Sequence, residues 1–270
     1  MGADQRRVFA DLHRSDLFVM PNPWDVGSAL LLQSMGFTAL ATTSSGHAAT
    51  LGRSDQHVSR DELLAHVEAL AAAVSVPLNV DAEHGFADDP DGVAETVALI
   101  AETPAAGCSI EDYDPVRGAV EPIDVAAERV GAAAEVARRS GLVLTARAEN
   151  HLYAAGSLED TVLRLRAYRD AGADVVYAPG LTALSDIEQV VRSVGVPVNV
   201  LAMPTGPSVA ELAAAGVRRV STGGALAWAA YGALRSAAGE LRDAGTSTYT
   251  ARSLTADERR QAFSSDVSGA

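Results

Sequence analysis

Charged pairs close three short apolar runs in this chain. Asp81 and Glu83 follow Pro-Leu-Asn-Val, Glu111 and Asp112 follow Gly-Cys-Ser-Ile, and Arg147 and Glu149 close Leu-Val-Leu-Thr-Ala. Ionised carboxylates beside apolar strands are costly unless they hold a metal or meet a positive partner. Three such sites on successive strands point to a shared divalent cation and a small anionic substrate. An extended segment would put Asp81 and Glu83 on one side, and Mg²⁺ accepts one or two carboxylates while keeping several waters. Gly85 would let the backbone turn past a ligand. The bland alternative is a solvated acidic loop, but Asp88 and Asp89 stand ready to cap the helix at Pro90 and leave Asp81 and Glu83 free. Glu111 or Asp112 could hold a metal-bound water or form an ion pair with an arginine. Arg147 offers the planar fork that a carboxylate or phosphonate needs, and equally a neutraliser for Glu149 or Glu111.

Weaker signals surround these. Ser44-Ser45-Gly46-His47 supplies hydroxyls and backbone N–H groups suited to a carboxylate, or a plain polar turn. His47, His84 and His151 are general bases by residue type, and ordinary loop histidines otherwise. Ser221-Thr222-Gly223-Gly224 reads as an anion-binding helix start or as an N-cap at Thr222. Cys108, inside a strand, reads as a core filler.

Strands alternating with helices would position these groups. Apolar runs near Phe18–Met20, Ala39–Thr42, Leu78–Val80, Cys108–Ile110, Val143–Ala146, Val175–Tyr177, Val198–Val200 and Arg218–Val220 read as buried parallel strands. Helical spacing fills the gaps, as in Leu63, Val67, Leu70 and Val74, or Val162, Leu165 and Tyr168. Ser59 with Glu62 forms a candidate capping box, and Gly141, Gly172 and Gly195 follow helices. Eight strand–helix units predict a parallel (β/α)₈ barrel of the TIM type, with a doubly wound sheet as the rival. Residues 1–245 would form one domain, and 246–270 a Ser/Thr-rich extension or tail. Chemistry in such a barrel sits where strands end, which is where the charged pairs fall.

The chain has 270 residues and a formal charge of −14, a field that disfavours nucleic acid and anionic membrane as partners. Every basic residue is Arg. Without a lysine amine, Schiff-base aldolase chemistry, pyridoxal phosphate attachment and a Walker A loop are excluded. One cysteine permits no intramolecular disulfide, and neither a signal peptide nor a membrane-length apolar run is evident, so a cytoplasmic location is expected.

With these motifs in hand, the chain resembles the isocitrate lyase/phosphoenolpyruvate mutase superfamily. The matching stretches are Pro-Asn-Pro-Trp-Asp-Val-Gly-Ser-Ala (21–29), Thr-Ser-Ser-Gly (43–46), Asn-Val-Asp-Ala-Glu-His-Gly-Phe (79–86) and Ser-Ile-Glu-Asp (109–112). Thr-Ala-Arg-Ala-Glu (145–149), Ala-Pro-Gly-Leu (178–181), Val-Asn-Val (198–200) and Gly-Val-Arg-Arg-Val-Ser-Thr-Gly (216–223) continue it. The resemblance implies a homotetramer, a dimer of dimers exchanging the last helix, and Mg²⁺ (or Mn²⁺) with a pyruvate-like anion. It places the substrate carboxylate at Ser45 and Gly46 with His47 adjacent, and the metal at Asp81 and Glu83, with Asp55 and Glu111 around them. Arg147 would face the substrate, and Asn199 matches a rim asparagine.

The departures narrow the chemistry. Where lyases of the superfamily carry Lys-Cys-Gly-His on a gating loop, this chain reads Tyr113-Asp114-Pro115-Val116-Arg117-Gly118. The thiol acid is missing, and so is the Asn beside Lys of the phosphonomutase gate. Pro179 stands where many members have Glu or His. The expected activity is a Mg²⁺-dependent carbon–carbon lyase or decarboxylase for a 2-oxo or 2-hydroxy di- or tricarboxylic acid, with Glu111, Arg147 and Tyr113 in the catalytic roles. The alternatives are a phosphonomutase or phosphonopyruvate hydrolase, and a non-catalytic metabolite-binding descendant.

Overall fold

Alternating short apolar runs and amphipathic segments fold as a parallel α/β barrel. The computed structural model describes residues 2–263. Its strands are β1 (Phe18–Met20), β2 (Leu40–Ala41), β3 (Leu78–Asp81), β4 (Gly107–Glu111), β5 (Tyr113–Asp114), β6 (Ala119–Val120), β7 (Val143–Arg147), β8 (Val175–Tyr177), β9 (Val198–Leu201) and β10 (Arg219–Ser221). Eight of them form one parallel sheet in the order β1-β10-β9-β8-β7-β4-β3-β2. A bond from the Ala41 N–H to the Pro21 carbonyl, 3.1 Å, draws its two edges together. The barrel is thus nearly closed, and all eight expected strands are present.

The helices are α1 (Gly2–Leu12), α2 (Val26–Ser34), α3 (Ser44–Thr50), α4 (Arg60–Ala73), α5 (Pro90–Glu102), α6 (Ile123–Ser140), α7 (Leu158–Asp170), α8 (Leu184–Val194), α9 (Val209–Ala214), α10 (Ala225–Ala244) and α11 (Ala256–Phe263). Their punctuation follows local chemistry. Ser59 and Glu62 form a reciprocal capping box on α4, Asp89 caps α5 ahead of Pro90, and Gly141 and Gly195 end α6 and α8 in the left-handed region. Helices and strands bury one continuous aliphatic core that includes Leu78, Ile100, Leu144, Leu165 and Val220. Cys108 is part of it, with its thiol pushed by burial up to about 12.

Helix α1 was not expected. It places Phe9 and His13 edge-on to each other and to Phe18, forming a second small cluster under the strands with Met20, Ala106, Val143 and Val175. Three further differences concern the rim. Residues 44–47, read as loop, open helix α3, which Thr43 caps onto the Gly46 N–H. Residues 113–118, the gate, are strand β5 and the turn of an antiparallel hairpin that β6 completes. Thr222 does not cap α10; it exchanges hydrogen bonds with Asn22 instead, and Gly224 stands at the cap. Residues 248–263 form a 3₁₀ turn and α11, which lies against α2, while 264–270 lie outside the described residues.

Candidate active site

Strand alternation sorts the charged pairs. On β4, Glu111 turns into the barrel, while Asp112 turns out to meet Arg164 at 2.9 Å and to accept the Glu149 N–H at 2.7 Å. Asp112 is therefore a structural node, and Glu111 belongs to the mouth. There one guanidinium is gripped by three carboxylates. Arg147 Nη1 meets Asp81 at 2.8 Å, Nη2 meets Glu111 at 3.0 Å and Nε meets Glu149 at 2.8 Å. The Tyr177 ring lies 5.3 Å from the guanidinium carbon.

Asp81 and Glu83 do not share an extended segment. Strand β3 ends at Asp81, and Glu83 has φ of 48°, a left-handed conformation rare for a side-chain-bearing residue. The turn keeps Glu83 buried and leaves its Oε2 without a partner. Burial, then the charges of Asp81 and Asp55, raise its carboxyl to about 8. Asp55 is raised by desolvation and by Asp81, against a hydrogen bond from Ser44. Glu111 is also raised, burial outweighing Arg147. Gln56 reaches Glu111 Oε1 at 2.9 Å from a backbone with φ of 64°. Five carboxylates, Asp55, Asp81, Glu83, Glu111 and Glu149, thus crowd around one arginine. Burial and the charges of Asp81 and Asp55 favour the protonated form of Glu83, and a divalent cation would offset the negative charge in place of that proton.

Of these groups, Asp55, Asp81 and Arg147 line a cavity of about 170 Å³, together with Ser44, Ser45 and Asn199, among others. Ser44 donates its N–H to Asp81 at 3.1 Å, and Ser45 Oγ accepts from Trp228 Nε1 at 3.1 Å. Gly46 is required by packing, because a Cβ there would lie 2.7 Å from Thr43 Cγ2 and 2.8 Å from Trp24 Cβ. His47 does not line the cavity; it points away and stacks on His66, centroids 3.7 Å apart. Asn199 lies deep in the cavity wall, donating to Ser221 at 2.9 Å and accepting from Arg219 at 2.9 Å. Tyr113 stacks on Tyr153 over the rim. Among the described residues no three His, Cys, Asp or Glu form a ready-made cage. The donor set nonetheless suits a hard, hydrated cation, which needs few protein ligands.

The family model described as phosphoenolpyruvate phosphomutase matches residues 9–242. The chain belongs to that family, within the isocitrate lyase/phosphoenolpyruvate mutase superfamily. An uncharacterized protein of Mycobacterium tuberculosis is 36% identical over 80% of this chain and 81% of its own length. An oxaloacetate decarboxylase of Paraburkholderia xenovorans is 30% identical over 74% of this chain and 69% of that protein. A crystal structure from Burkholderia cenocepacia, described provisionally as a lyase/mutase, superimposes with a TM-score of 0.94 at 46% identity, covering 98% of this chain and 97% of that one. Superfamily members are lyases and mutases.

Several residues at the site escaped the sequence reading. Gln56 and Tyr153 lie on loops with no periodic signal. Tyr177 and Arg219 lie on strands, and the pair Arg218-Arg219 before Val220 carried a usable clue, since alternation forces one of two adjacent arginines inward.

Proposed function

We propose that this protein is a divalent-metal-dependent lyase or decarboxylase that breaks a carbon–carbon bond in a small 2-oxo or 2-hydroxy diacid. The observation that carries this reading is the mouth itself: Arg147 among Asp81, Glu111 and Glu149, beside the unpartnered oxygen of Glu83. Asp81 and Glu83 would hold Mg²⁺, or Mn²⁺ in its place, with Asp55 and Glu111 around them. When bound, the cation supplies Lewis-acid polarisation of the 2-oxo group. Ser45, through its hydroxyl and backbone N–H, would bind the adjacent carboxylate, since the Ser44 and Gly46 N–H groups are already taken by Asp81 and Thr43. Arg147, held by three acceptors, cannot swing and so keeps its charge fixed beside the reacting oxygen.

Decarboxylation suits the gate. When CO₂ leaves an oxaloacetate-like acid, the bonding electron pair remains on the adjacent carbon, and one proton completes pyruvate. No thiol is needed. Tyr113, carried by the β5–β6 hairpin, supplies that proton as the hairpin closes, and solvent restores it. The 30% identical oxaloacetate decarboxylase supports this choice. Phosphorus–carbon chemistry is the second reading, favoured by the family description. Pyruvate release from oxaloacetate and from 2-hydroxy diacids, with Mg²⁺ and with EDTA, tests the first; phosphorus NMR on phosphonopyruvate tests the second. Absence of EDTA-sensitive pyruvate formation would remove the lyase reading.

The same reading includes a homo-oligomer that exchanges the last helix of the barrel, α10. Helix α10 buries only Ala227 and exposes Trp228, Leu234 and Leu241. Light scattering at a tetramer mass, falling on Leu234→Glu, is the expected outcome.

A further inference from the structure

Arg219 is a buried cation whose bonds are all to neutral atoms. It is 1% exposed inside the barrel. Its Nε donates to Asn199 Oδ1 at 2.9 Å, Nη2 to Thr145 Oγ1 at 2.9 Å and Nη1 to His13 Nε2 at 3.1 Å. That last bond fixes the His13 tautomer, because the other ring nitrogen faces the Phe9 carbonyl at 2.8 Å. Burial and the neighbouring Arg219 hold His13 down at about 3, so it stays neutral. The other arginines of the interior and the mouth behave differently. Arg129 meets Glu121, Arg164 meets Asp112 and Asp160, and Arg147 meets three carboxylates.

Three N–H bonds leave two of the five guanidinium donors uncommitted. A guanidinium without an anion in a low-dielectric interior carries an uncompensated desolvation cost. Burial drives its pKa down to about 9, which still leaves it charged at neutral pH.

Its location gives that charge a use. Arg219 lines the same cavity as Ser45, Asp81 and Arg147. Strand register links the two ends: Glu111 pairs with Arg147, Arg147 with Tyr177, Tyr177 with Asn199 and Asn199 with Arg219. Barrel shear turns this row into a slanting polar path from the carboxylate-rich mouth to the guanidinium. The cavity is therefore dipolar, cation-seeking at the rim and anion-seeking at its floor.

We propose that Arg219, with Asn199, forms a floor subsite that receives the second carboxylate of a small diacid, making it the residue that selects diacids over monoacids. This deepens the proposed function and rests on that reading of the cavity as the substrate site. About 170 Å³ accommodates a four-carbon diacid between Ser45 and Arg219. Thr145 and His13 hold the guanidinium in place and touch no ligand.

Lactate and malate differ by one carboxylate, so calorimetric titration of each into the Mg²⁺-loaded protein reads the subsite directly. Wild type should bind malate tighter than lactate by about tenfold or more, the worth of one charge-assisted contact. Arg219→Gln should abolish that preference while leaving lactate affinity within about twofold, and Arg219→Lys should restore part of it. A preference that survives Arg219→Gln, or equal weakening of both ligands, overturns the proposal. Should Arg219→Gln fail to fold, a wild-type crystal soaked in malate decides: a carboxylate at hydrogen-bond distance from Arg219 supports the subsite, and one pointing out of the mouth refutes it. The readout needs no turnover. Discrimination without pyruvate formation would sink the lyase reading and leave the floor subsite standing.

Discussion

Arg147 and Asp81 meet at 2.8 Å although strand β4 runs between β7 and β3, which carry them. The guanidinium bridges that strand and takes Glu111 from its end as well. One side chain thus clamps three adjacent strand ends. Arg147→Gln would leave buried Glu111 and Glu149 and partly buried Asp81 without a cation between them. We expect a loss of about 3–5 kcal/mol in urea unfolding, together with loss of activity. Double substitution with Glu149→Gln should recover part of the stability and none of the activity. An Arg147→Gln protein as stable as wild type would mean that the carboxylates are already protonated.

Under the proposed function, in which Asp81 and Glu83 would hold the cation, metal binding would release a proton from Glu83. Its folded carboxyl sits near 8, against an ordinary value of 4.5. The metal-free fold therefore keeps a proton that the unfolded chain gives up. Between about pH 4.5 and 8 this costs stability as pH rises, by the sign of the linkage. A divalent cation bound there would expel the proton. Mg²⁺ titrated at pH 7 in buffers of different ionisation enthalpy should give heats that scale with the buffer, and Glu83→Gln should flatten that dependence. EDTA treatment should lower the melting temperature more at pH 8 than at pH 6.

Tyr113 and Tyr153 stack with centroids 3.9 Å apart and planes within 3°, tying the hairpin to the loop after β7. Two variants separate the ring from its hydroxyl. Tyr113→Phe keeps the stack and should lower kcat by about a hundredfold with KM little changed, as expected for a proton donor. Tyr113→Ala should raise KM as well. Equal activity of Tyr113→Phe and wild type would reduce Tyr113 to a latch.

The eight strands were readable because parallel strands covered on both faces are continuous apolar runs, and Val143–Ala146 or Val175–Tyr177 could be little else. The charged ends of β3, β4 and β7 were readable because such residues need a reason to follow such runs. The turn at Glu83 was not, since a left-handed glutamate carries no local signal and depends on the packing around it. The hairpin of Tyr113–Asp114 with Ala119–Val120 is too short to register as strand, and Pro115 and Gly118 between them look like any loop. His47 shows the limit of residue type. Its position beside Ser45 and Gly46 suggested the cavity, but the helix starting at Ser44 rotates it onto α4. Arg219 was hidden by its neighbour Arg218, because sequence gives the alternation of side chains but not its phase.

The His47–His66 stack should make the protein acid-sensitive from inside. The two rings are within 16° of parallel, and neither ring nitrogen of His47 has a partner. Burial, and then the neighbouring His47, lower His66 to about 4, while burial also lowers His47 against the pull of Glu62. Asp25 favours the charged His66, and Arg53 opposes charge on His47, so the nearby groups do not cancel the burial. An imidazole whose folded pKa lies below 6.5 takes its proton only in the unfolded chain over that interval. Stability present above pH 6.5 is therefore lost as pH falls toward 4, by an amount on the order of 2–3 kcal/mol for His66. Because α3 carries Ser44 and Ser45, loss of the stack should also loosen the carboxylate end of the cavity. Urea midpoints should fall between pH 7 and pH 5 in wild type and fall less in His66→Phe, which keeps an aromatic ring without a titrating nitrogen. Parallel pH profiles for the two proteins would show that the acid sensitivity arises elsewhere.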